Sequence, residues 1–452
     1  MVYEVLIQPS LTLSDDFPTV EISDGLLKNL NIPFKETIEI KLGGEEILVR
    51  LNRSQHSSDK ETIFFNQSCF LAAKLPFLPI KLQAIAQHHC LILGPIVAVI
   101  TEIKMNKGES PLFSSIQTFC EELHEYSRQY GGLFYVTNLS RFPNAGFYYD
   151  QGNWIENLTP KANIIYNRIH SRRIEDNPKF QLLKKKWEKD GFLLFNASYL
   201  TKWQVHETIF KKNYLNVFLP KTSLFKEVNV DQWILKYKDL YLKPDTGSQG
   251  RQIIHFFIND NHFDIEQISF SKETNYSFST LKKALEQIKE WIGTKKFIVQ
   301  ETIPLIQIDG KRIDFRFLCI KKSIDQWNIT SAVARMSGDK HFVSNIAQGG
   351  TIIRPEKILT ILFEKEKAAQ TLLLMKELAL EIASAISDGT DGLIGELGID
   401  IGVDYNGRPW LIEVNSKPSK QKVEDSPMIR PSAKAIYHYC KALWIERSMI
   451  DD

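Results

Sequence analysis

Little net charge survives in this chain: 56 Lys and Arg face 54 Asp and Glu, leaving +2 over 452 residues. That balance excludes the strongly basic surface of a nucleic-acid binder. With 43% hydrophobic and 24% charged residues, wholesale disorder is excluded as well. Cysteine is scarce. Cys69, Cys90, Cys120, Cys319 and Cys440 are odd in number, scattered and never in a Cys-x-x-Cys pair, the pattern of reduced intracellular thiols. Long apolar runs are missing too: the longest, Cys90 to Ile100, contains Gly94-Pro95 and is too short to span a bilayer. Met1-Val2-Tyr3-Glu4 lacks the basic start of a signal peptide. A cytoplasmic protein with no membrane or nucleic-acid partner is expected. Also absent are a Gly-x-x-x-x-Gly-Lys-Ser/Thr loop and any convincing Ser-His-Asp or Cys-His arrangement, so neither P-loop nor side-chain nucleophile chemistry is indicated.

What is there divides into about three domains. Residues 1–93 carry a weak repeat: Leu26 to Leu42 is echoed by Cys69 to Ala84, each reading as a short helix, a Leu/Ile-Pro-Phe corner and a strand. Glu46 to Arg50 and His88 to Leu93 read as matching return strands. A small pseudo-symmetric β barrel is expected. His88 and His89 are adjacent, so on a strand they point to opposite faces and cannot chelate together. Residues 94–200 alternate apolar strands (Ile96 to Ile100, Leu133 to Val136, Ile164 to Arg168, Phe192 to Phe195) with helices (Ser115 to Tyr130, and one through Lys184 to Lys186), the pattern of an α/β domain. Arg168 ends a strand, where open α/β sheets bind ligands, and Arg172 and Arg173 follow. An anion or carboxylate clamp and a solvated basic edge both fit.

In residues 201–452, Tyr241-Leu242-Lys243-Pro244 leads into the loop Gly247-Ser248-Gln249-Gly250 and a second strand. Glycines let backbone N–H groups approach phosphates, and Lys243 offers them a charge. Such a loop is also an ordinary hairpin tip. Lys296 to Pro304 reads as an apolar strand running into a linker whose backbone could bond an adenine. Arg312, Asp314, Arg316 and Leu318 alternate onto one strand face, a charged row suited to phosphate recognition. Arg335 adds a cation on the next strand, and a Leu-rich helix spans Glu364 to Ser387.

The most informative stretch is Gly395 to Pro418. Two apolar runs flank Asn406-Gly407, the dipeptide that most readily forms a two-residue hairpin turn. With that turn, Tyr405 pairs with Arg408 and Asp400 faces Glu413. Asp400, Glu413 and Asn415 then project from one face, and Ile399, Ile401, Ile412 and Val414 from the other. Opposed carboxylates with Cβ atoms about 5 Å apart repel unless a proton or cation sits between them. An all-oxygen Asp/Glu/Asn set suits a hard ion such as Mg²⁺ with phosphate oxygens completing its shell. A solvated hairpin face is the commoner fate of strand carboxylates, but such faces rarely carry so little Lys and Thr. A three-residue loop, Tyr405 to Gly407, would instead put Ile412 opposite Asp400 and separate the carboxylates.

Taken in order, Lys-Pro…Gly-Ser-x-Gly, Val-Gln-Glu, Asp-x-Arg, Ser-Asn…Gly-Gly, Gly-x-Asp and Glu-Val-Asn-Ser-Lys-Pro resemble an ATP-grasp fold over roughly the last 250 residues. Leu-Gly-Pro-Ile near 93, Tyr166-Asn167-Arg168-Ile169, Phe195-Asn196 and Lys202-Trp203-x-x-His206-Glu207 make most of the chain resemble the spore-coat-associated YheC/YheD group of ATP-grasp proteins. The resemblance implies a mixed α/β and α+β chain: an ATP-grasp fold of two lobes (201–452) after an α/β pre-ATP-grasp domain (94–200) and the small β domain (1–93). It implies ATP bound between the lobes, with Lys202 and Lys243 on phosphates and Gly247, Ser248 and Gly250 closing over them. Gln300, Glu301 and Ile303 would hold the adenine, and Asn345 would join the nucleotide site. Asp400, Glu413 and Asn415 would bind one or two Mg²⁺, with Mn²⁺ able to substitute. Arg316 and Arg335 would steady the γ-phosphate and an acyl phosphate. One departure stands out: some relatives carry an arginine just before Ser-Asn, where this chain has Val343.

Two functions follow. One is an ATP- and Mg²⁺-dependent ligase that joins a small-molecule or peptide carboxylate to an amine or thiol through an acyl phosphate. The other is a non-catalytic ATP-binding protein that docks onto spore-coat proteins.

Overall fold

Period-two alternation over the first 94 residues closes a sheet on itself. In this computed structural model, which describes residues 1–54, 61–87, 90–105, 110–247, 252–260, 262–268, 273–337, 351–420 and 429–450, the opening elements are β1 (Tyr3–Pro9), β2 (Thr19–Ile22), α1 (Asp24–Leu30), β3 (Thr37–Leu42), β4 (Glu45–Arg53), β5 (Thr62–Phe65), α2 (Gln67–Ala72), β6 (Ile80–Gln87) and β7 (Cys90–Gly94). The strands form a closed barrel in the order β1-β5-β2-β4-β3-β7-β6. Every second residue of β3 and β4 (Ile38, Ile40, Leu42; Ile47, Val49, Leu51) is buried inside it.

The pairing is two-fold symmetric, but not about the units expected. Parallel β1–β5 matches parallel β2–β4, and antiparallel β1–β6 matches antiparallel β4–β3. The equivalent units are therefore β1-β2-α1-β3 and β4-β5-α2-β6. The caps agree, since Ser23 and Asn66 each accept a backbone N–H three residues on, from Leu26 and Cys69. β7, expected as the counterpart of β4, has no equivalent; it wedges between β3 and β6. His88 and His89 lie outside the described residues.

The second sheet contains β8 (Ile96–Ile100), β9 (Leu133–Thr137), β10 (Ala145–Asp150), β11 (Asn153–Leu158), β12 (Ile164–Asn167) and β13 (Leu193–Phe195), with helices α3 (Gln117–Tyr130), α4 (Arg172–Glu175) and α5 (Pro178–Lys189). Its order is β11-β10-β9-β8-β12-β13. β9, β8, β12 and β13 are parallel, and β8, buried at every residue, is flanked on both sides. The antiparallel hairpin β10–β11 extends one edge.

The third sheet is antiparallel throughout. After α6 (Lys202–Phe210) come β14 (Thr222–Leu224), α7 (Val230–Tyr237), β15 (Asp239–Pro244), β16 (Ile253–Asn259), β17 (His262–Ile268), β18 (Glu273–Phe278), α8 (Leu281–Ile292) and β19 (Phe297–Glu301), in sheet order β14-β19-β15-β16-β17-β18. One face (Leu240, Leu242, Ile254, Phe256, Ile265, Val299) packs with Ile234 of α7 and with Leu285 and Ile288 of α8. The other carries Asp239, Tyr241, Lys243, His255, Glu266 and Gln300.

The fourth sheet has the order β23-β22-β21-β24-β25. Its elements are β20 (Gln307–Ile308, paired with β21), β21 (Lys311–Lys321), β22 (Trp327–Met336), β23 (Thr351–Ile353), α9 (Pro355–Leu362), α10 (Lys365–Asp388), β24 (Glu396–Val403), β25 (Pro409–Asn415) and α11 (Pro431–Ile450). Phe315, Phe317, Ile399 and Ile401 pack against Leu372, Met375 and Ile382 of α10, leaving the opposite, polar face of the sheet for chemistry. α11 returns to the second sheet, where Tyr437 and Trp444 join the core around α3. No helix among the described residues is long and apolar enough to cross a membrane.

Candidate functional site

The site is built on the β24–β25 hairpin, and its register arises from two departures that cancel. The tip is the longer loop: Asp404 N–H donates to Arg408 O at 3.0 Å and Gly407 N–H to Asp404 O at 2.9 Å. The loop residues are thus Tyr405, Asn406 and Gly407, with Gly407 left-handed at φ 82°, as three-residue hairpins require. Alone, this register would set Ile412 opposite Asp400. A bulge corrects it: Ile401 pairs with Leu411, but Asp400 pairs with Glu413. The expected Tyr405–Arg408 pairing is thereby overturned, while Asp400 still faces Glu413. Ile412 also changes sides. Leu411 takes the core position and Ile412 lies on the Gly402 side, close enough that a Cβ built on Gly402 would come within 3.1 Å of it.

Across the sheet, Val333, Arg316, Asp400 and Glu413 form a row over four strands. Asp400, only 3% exposed, meets Arg316 through both guanidinium prongs, with Nη2 to Oδ2 at 2.7 Å. Arg335 Nη2 lies 3.0 Å from Asp400 Oδ1, and Arg335 Nε donates to Asp314 Oδ1 at 2.6 Å. Asn415 Nδ2 reaches Asp400 Oδ2 at 3.3 Å. Burial would raise the Asp400 carboxyl pKa, but the charges of Arg316 and Arg335 outweigh it and hold the group below the ordinary carboxylate value. The strand alternation expected for Arg312, Asp314 and Arg316 is present. Arg312 reaches across to the third sheet, where its Nη1 donates to Tyr241 Oη at 2.9 Å.

Lys243, on β15 of the third sheet, and Lys202, on α6, whose Val205 and Ile209 pack in the core of the fourth sheet, stand near this row. A capping box at Thr201 starts α6 and places Lys202 in its first turn. Lys202 Nζ bridges Glu413 Oε1 and Gly247 O, both at 3.1 Å. Lys243 Nζ donates to Gln300 Oε1 at 2.7 Å, and Gln300 Nε2 donates to Thr222 Oγ1 at 2.9 Å. Burial, reinforced by the Lys202 charge, pulls the Lys243 ammonium down to about 8. Glu301 is tied to Lys221 through its backbone N–H (3.0 Å) and its carboxylate (2.7 Å). Ile303 O accepts from Leu305 N–H at 2.8 Å where the linker turns toward the fourth sheet. Ser248, Gly250, Asn345 and Val343 lie outside the described residues.

Arg168 is no clamp. It is 1% exposed and committed to Glu396 (3.3 Å) and Pro418 O (2.9 Å); Tyr166 Oη at 2.6 Å and Lys420 complete the Glu396 carboxylate. Another cluster escaped the sequence reading: His255 sits between Asp239 (2.7 Å) and Glu266 (2.8 Å) and stacks on Tyr241. Alternation along β15 puts Asp239, Tyr241 and Lys243 on one face and was the available signal, but the partner strand could not be read from spacing.

These side chains suit a divalent cation and a polyphosphate. Among the described residues no three His, Cys, Asp or Glu side chains make a metal site by themselves, so a cation here would take Asp400, Glu413, the Asn415 amide oxygen and oxygens of a ligand. Lys243 is a desolvated cation held by an amide oxygen and, among the described residues, paired with no carboxylate, an arrangement an anion would complete.

The model of the YheC/D-like ATP-grasp family matches residues 191–443. The chain is 25% identical over 381 residues to the endospore coat-associated protein YheD of Bacillus subtilis (strain 168), covering 82% of this chain and 83% of that one. To YheC of the same organism, also named endospore coat-associated, it is 22% identical over 288 residues, covering 60% and 74%. Among solved structures, it is similar to the VanG D-Ala:D-Ser ligase from Enterococcus faecalis (TM-score 0.45, 14% identity, 77% of this chain and 97% of that one). The macrocyclase MdnC bound with precursor peptide MdnA from Microcystis aeruginosa MRC gives a TM-score of 0.39 at 14% identity, covering 76% and 97%.

Proposed function

From a chain that belongs to the YheC/D-like ATP-grasp family, we propose an ADP-forming ligase that joins a carboxylate to an amine or thiol. Its third and fourth sheets would be the two lobes of the ATP-grasp fold. The observation that carries the reading is the meeting of Lys243 from the third sheet with Lys202 of α6 and Glu413 of the fourth, with Asp400 and Asn415 alongside.

Bound ATP would supply a transferable phosphoryl group, and Mg²⁺ would spread its developing charge. Lys202 and Lys243 would hold the phosphates, with Gly247 at the mouth of the loop. Gln300, Glu301 and Ile303 would border the adenine, with Gln300 also positioning Lys243. Asp400, Glu413 and Asn415 would give their oxygens to the cation. Arg316 and Arg335, which hold Asp400, would steady the γ-phosphate and an acyl phosphate. One carboxylate oxygen bonds the γ-phosphorus and ADP leaves. The amine or thiol then bonds the acyl carbon, phosphate leaves, and the nucleophile's proton passes to solvent.

The test is ADP and phosphate release on incubation with ATP, Mg²⁺ and pools of amino acids or peptides. Release with at least one pool is expected, and it should vanish in Glu413→Gln. Tight ATP binding with no release from any pool would overturn the catalytic reading. That outcome favours the second reading, prompted by the coat-associated names of YheD and YheC: an ATP-binding protein that acts by docking in the spore coat.

A further inference from the structure

β12 ends at Asn167 beside the C-terminal ends of its parallel neighbours β8 and β13. This is the edge where open α/β sheets receive ligands. The chain turns there and is pinned. Glu102 accepts the backbone N–H groups of His170 (2.9 Å) and Ser171 (2.8 Å), and Tyr199 Oη donates to His170 O at 3.0 Å. The Tyr199 ring carries two cations, the Arg172 guanidinium 4.6 Å and the Lys417 ammonium 4.8 Å from its centroid. Lys417 is spoken for by Glu175, which also takes Asn167 Nδ2 (2.7 Å) and Tyr199 N–H (3.0 Å).

Two groups at this edge are not. His170 Nε2 is shielded from solvent and has no hydrogen-bond partner among the described residues. Arg172, half-buried, is oriented by the Tyr199 ring and has no carboxylate partner among the described residues. An unsatisfied buried ring nitrogen costs stability, and a guanidinium fixed by stacking has already given up the freedom it would lose on binding an anion. Burial and the charge of Arg168 both lower the His170 pKa, and a neutral ring in its Nε2–H tautomer donates to an anion without adding charge. Lys417, whose ammonium lies over the Tyr199 ring, stands two residues beyond Asn415, so the segment that carries a proposed cation ligand runs on to this edge.

We propose that Arg172 and His170 form an anchor for a second, unreacted carboxylate of the ligase substrate, held away from the carboxylate that is activated. The proposal rests on the ligase reading and narrows it to substrates carrying an ionised group remote from the reacting one. Arg172 takes the carboxylate with its fork, His170 Nε2–H bonds one of its oxygens, and Lys417 ties the anchor to the hairpin.

The experiment uses the full chain labelled with ¹³C at histidine Cε1, with the His170 resonance identified by its loss in His170→Gln. Magnesium–ADP binding is first measured by calorimetry on the same sample; its absence would overturn the ligase reading. Glutarate, with neutral glutaramide as control, is then titrated into the nucleotide-bound protein. Glutarate should shift the His170 resonance and glutaramide should not. Arg172→Met should weaken glutarate binding at least tenfold, about 1.4 kcal/mol, with nucleotide binding and melting temperature unchanged. Arg172→Lys should fall between, because it keeps the charge and loses the fork. Nucleotide binding with a His170 resonance indifferent to glutarate, or equally sensitive to glutaramide, would overturn the anchor and leave the ligase reading standing. So would undiminished affinity in Arg172→Met.

Discussion

Arg316 faces Asp400 across β21 and β24 and grips both of its carboxylate oxygens, with Nη2 to Oδ2 at 2.7 Å. In the proposed site, the protein's own cation thus stands where the metal would bind. Lys202 does the same at Glu413. Metal binding must break these pairs, so Mn²⁺ alone should bind far more weakly than Mn²⁺ with ADP. Arg316→Met leaves Asp400 buried with half its compensation, which costs about 3–5 kcal/mol, and Mn²⁺ can replace the lost charge. The expected result is a lower melting temperature without metal and a larger rise on adding Mn²⁺ than in the unaltered protein. Equal rises would mean that Arg316 does not compete for the cation position.

Lys243 gives a pH dependence of definite sign. Its pKa falls from 10.5 to about 8 on burial, so between these values the unfolded chain holds more protons and stability rises with pH. The penalty is fully present below about pH 8 and is relieved toward 10.5. A bound polyphosphate reverses the preference, since it favours the charged ammonium. Nucleotide affinity should therefore fall as pH rises through about 8, with proton uptake on binding above it. Calorimetry in buffers of different ionisation enthalpy measures that uptake. Lys243→Met should bind nucleotide weakly, without the uptake, and lose much of the stability gain between pH 8 and 10.5.

How far the chemistry could be read from sequence depended on how local it was. Alternation exposed the charged row Arg312, Asp314 and Arg316 because it lies within one strand. Asp400 opposite Glu413 was inferred from a two-residue turn that does not form; a bulge at Ile412 compensates for the longer loop, and a bulge leaves no periodic mark. Arg168 looked available because its partner Glu396 lies 228 residues away. The barrel repeat showed in the helix-Pro-Phe-strand echo, but its true units begin two strands earlier, since short strands such as Thr19–Ile22 and Thr62–Phe65 carry too few residues to display a period.

Glu396 is fully buried and joins the second and fourth sheets through Tyr166, Arg168 and Lys420. Replacing it by Ala strands two cations in a dry junction, and a loss of about 3–5 kcal/mol is expected. Urea unfolding measures it. Glu396→Gln keeps the shape and one acceptor and should cost less, though the charge is still gone. A loss within experimental error in both variants would show that Lys420 and Arg168 find other partners or reach solvent.

The bulge supplies the sharpest test of the hairpin. With the loop at Tyr405 to Gly407, a regular ladder places whichever residue follows Leu411 opposite Asp400. Deleting Ile412 makes that residue Glu413. Leu411 and Val414 keep their core positions, and Glu413 and Asn415 keep the polar face, because alternation is restored rather than broken. The chain loses only the partly exposed Ile412 side chain near Gly402. The deletion should therefore fold and bind magnesium–ADP within about threefold of the unaltered protein, under about 0.7 kcal/mol, while Glu413→Ala should lose most of the affinity. Calorimetry of the two variants decides it: if removing Ile412 is as damaging as removing the carboxylate, the site depends on the local kink of the bulge, and pairing register alone does not explain how Asp400 and Glu413 come together.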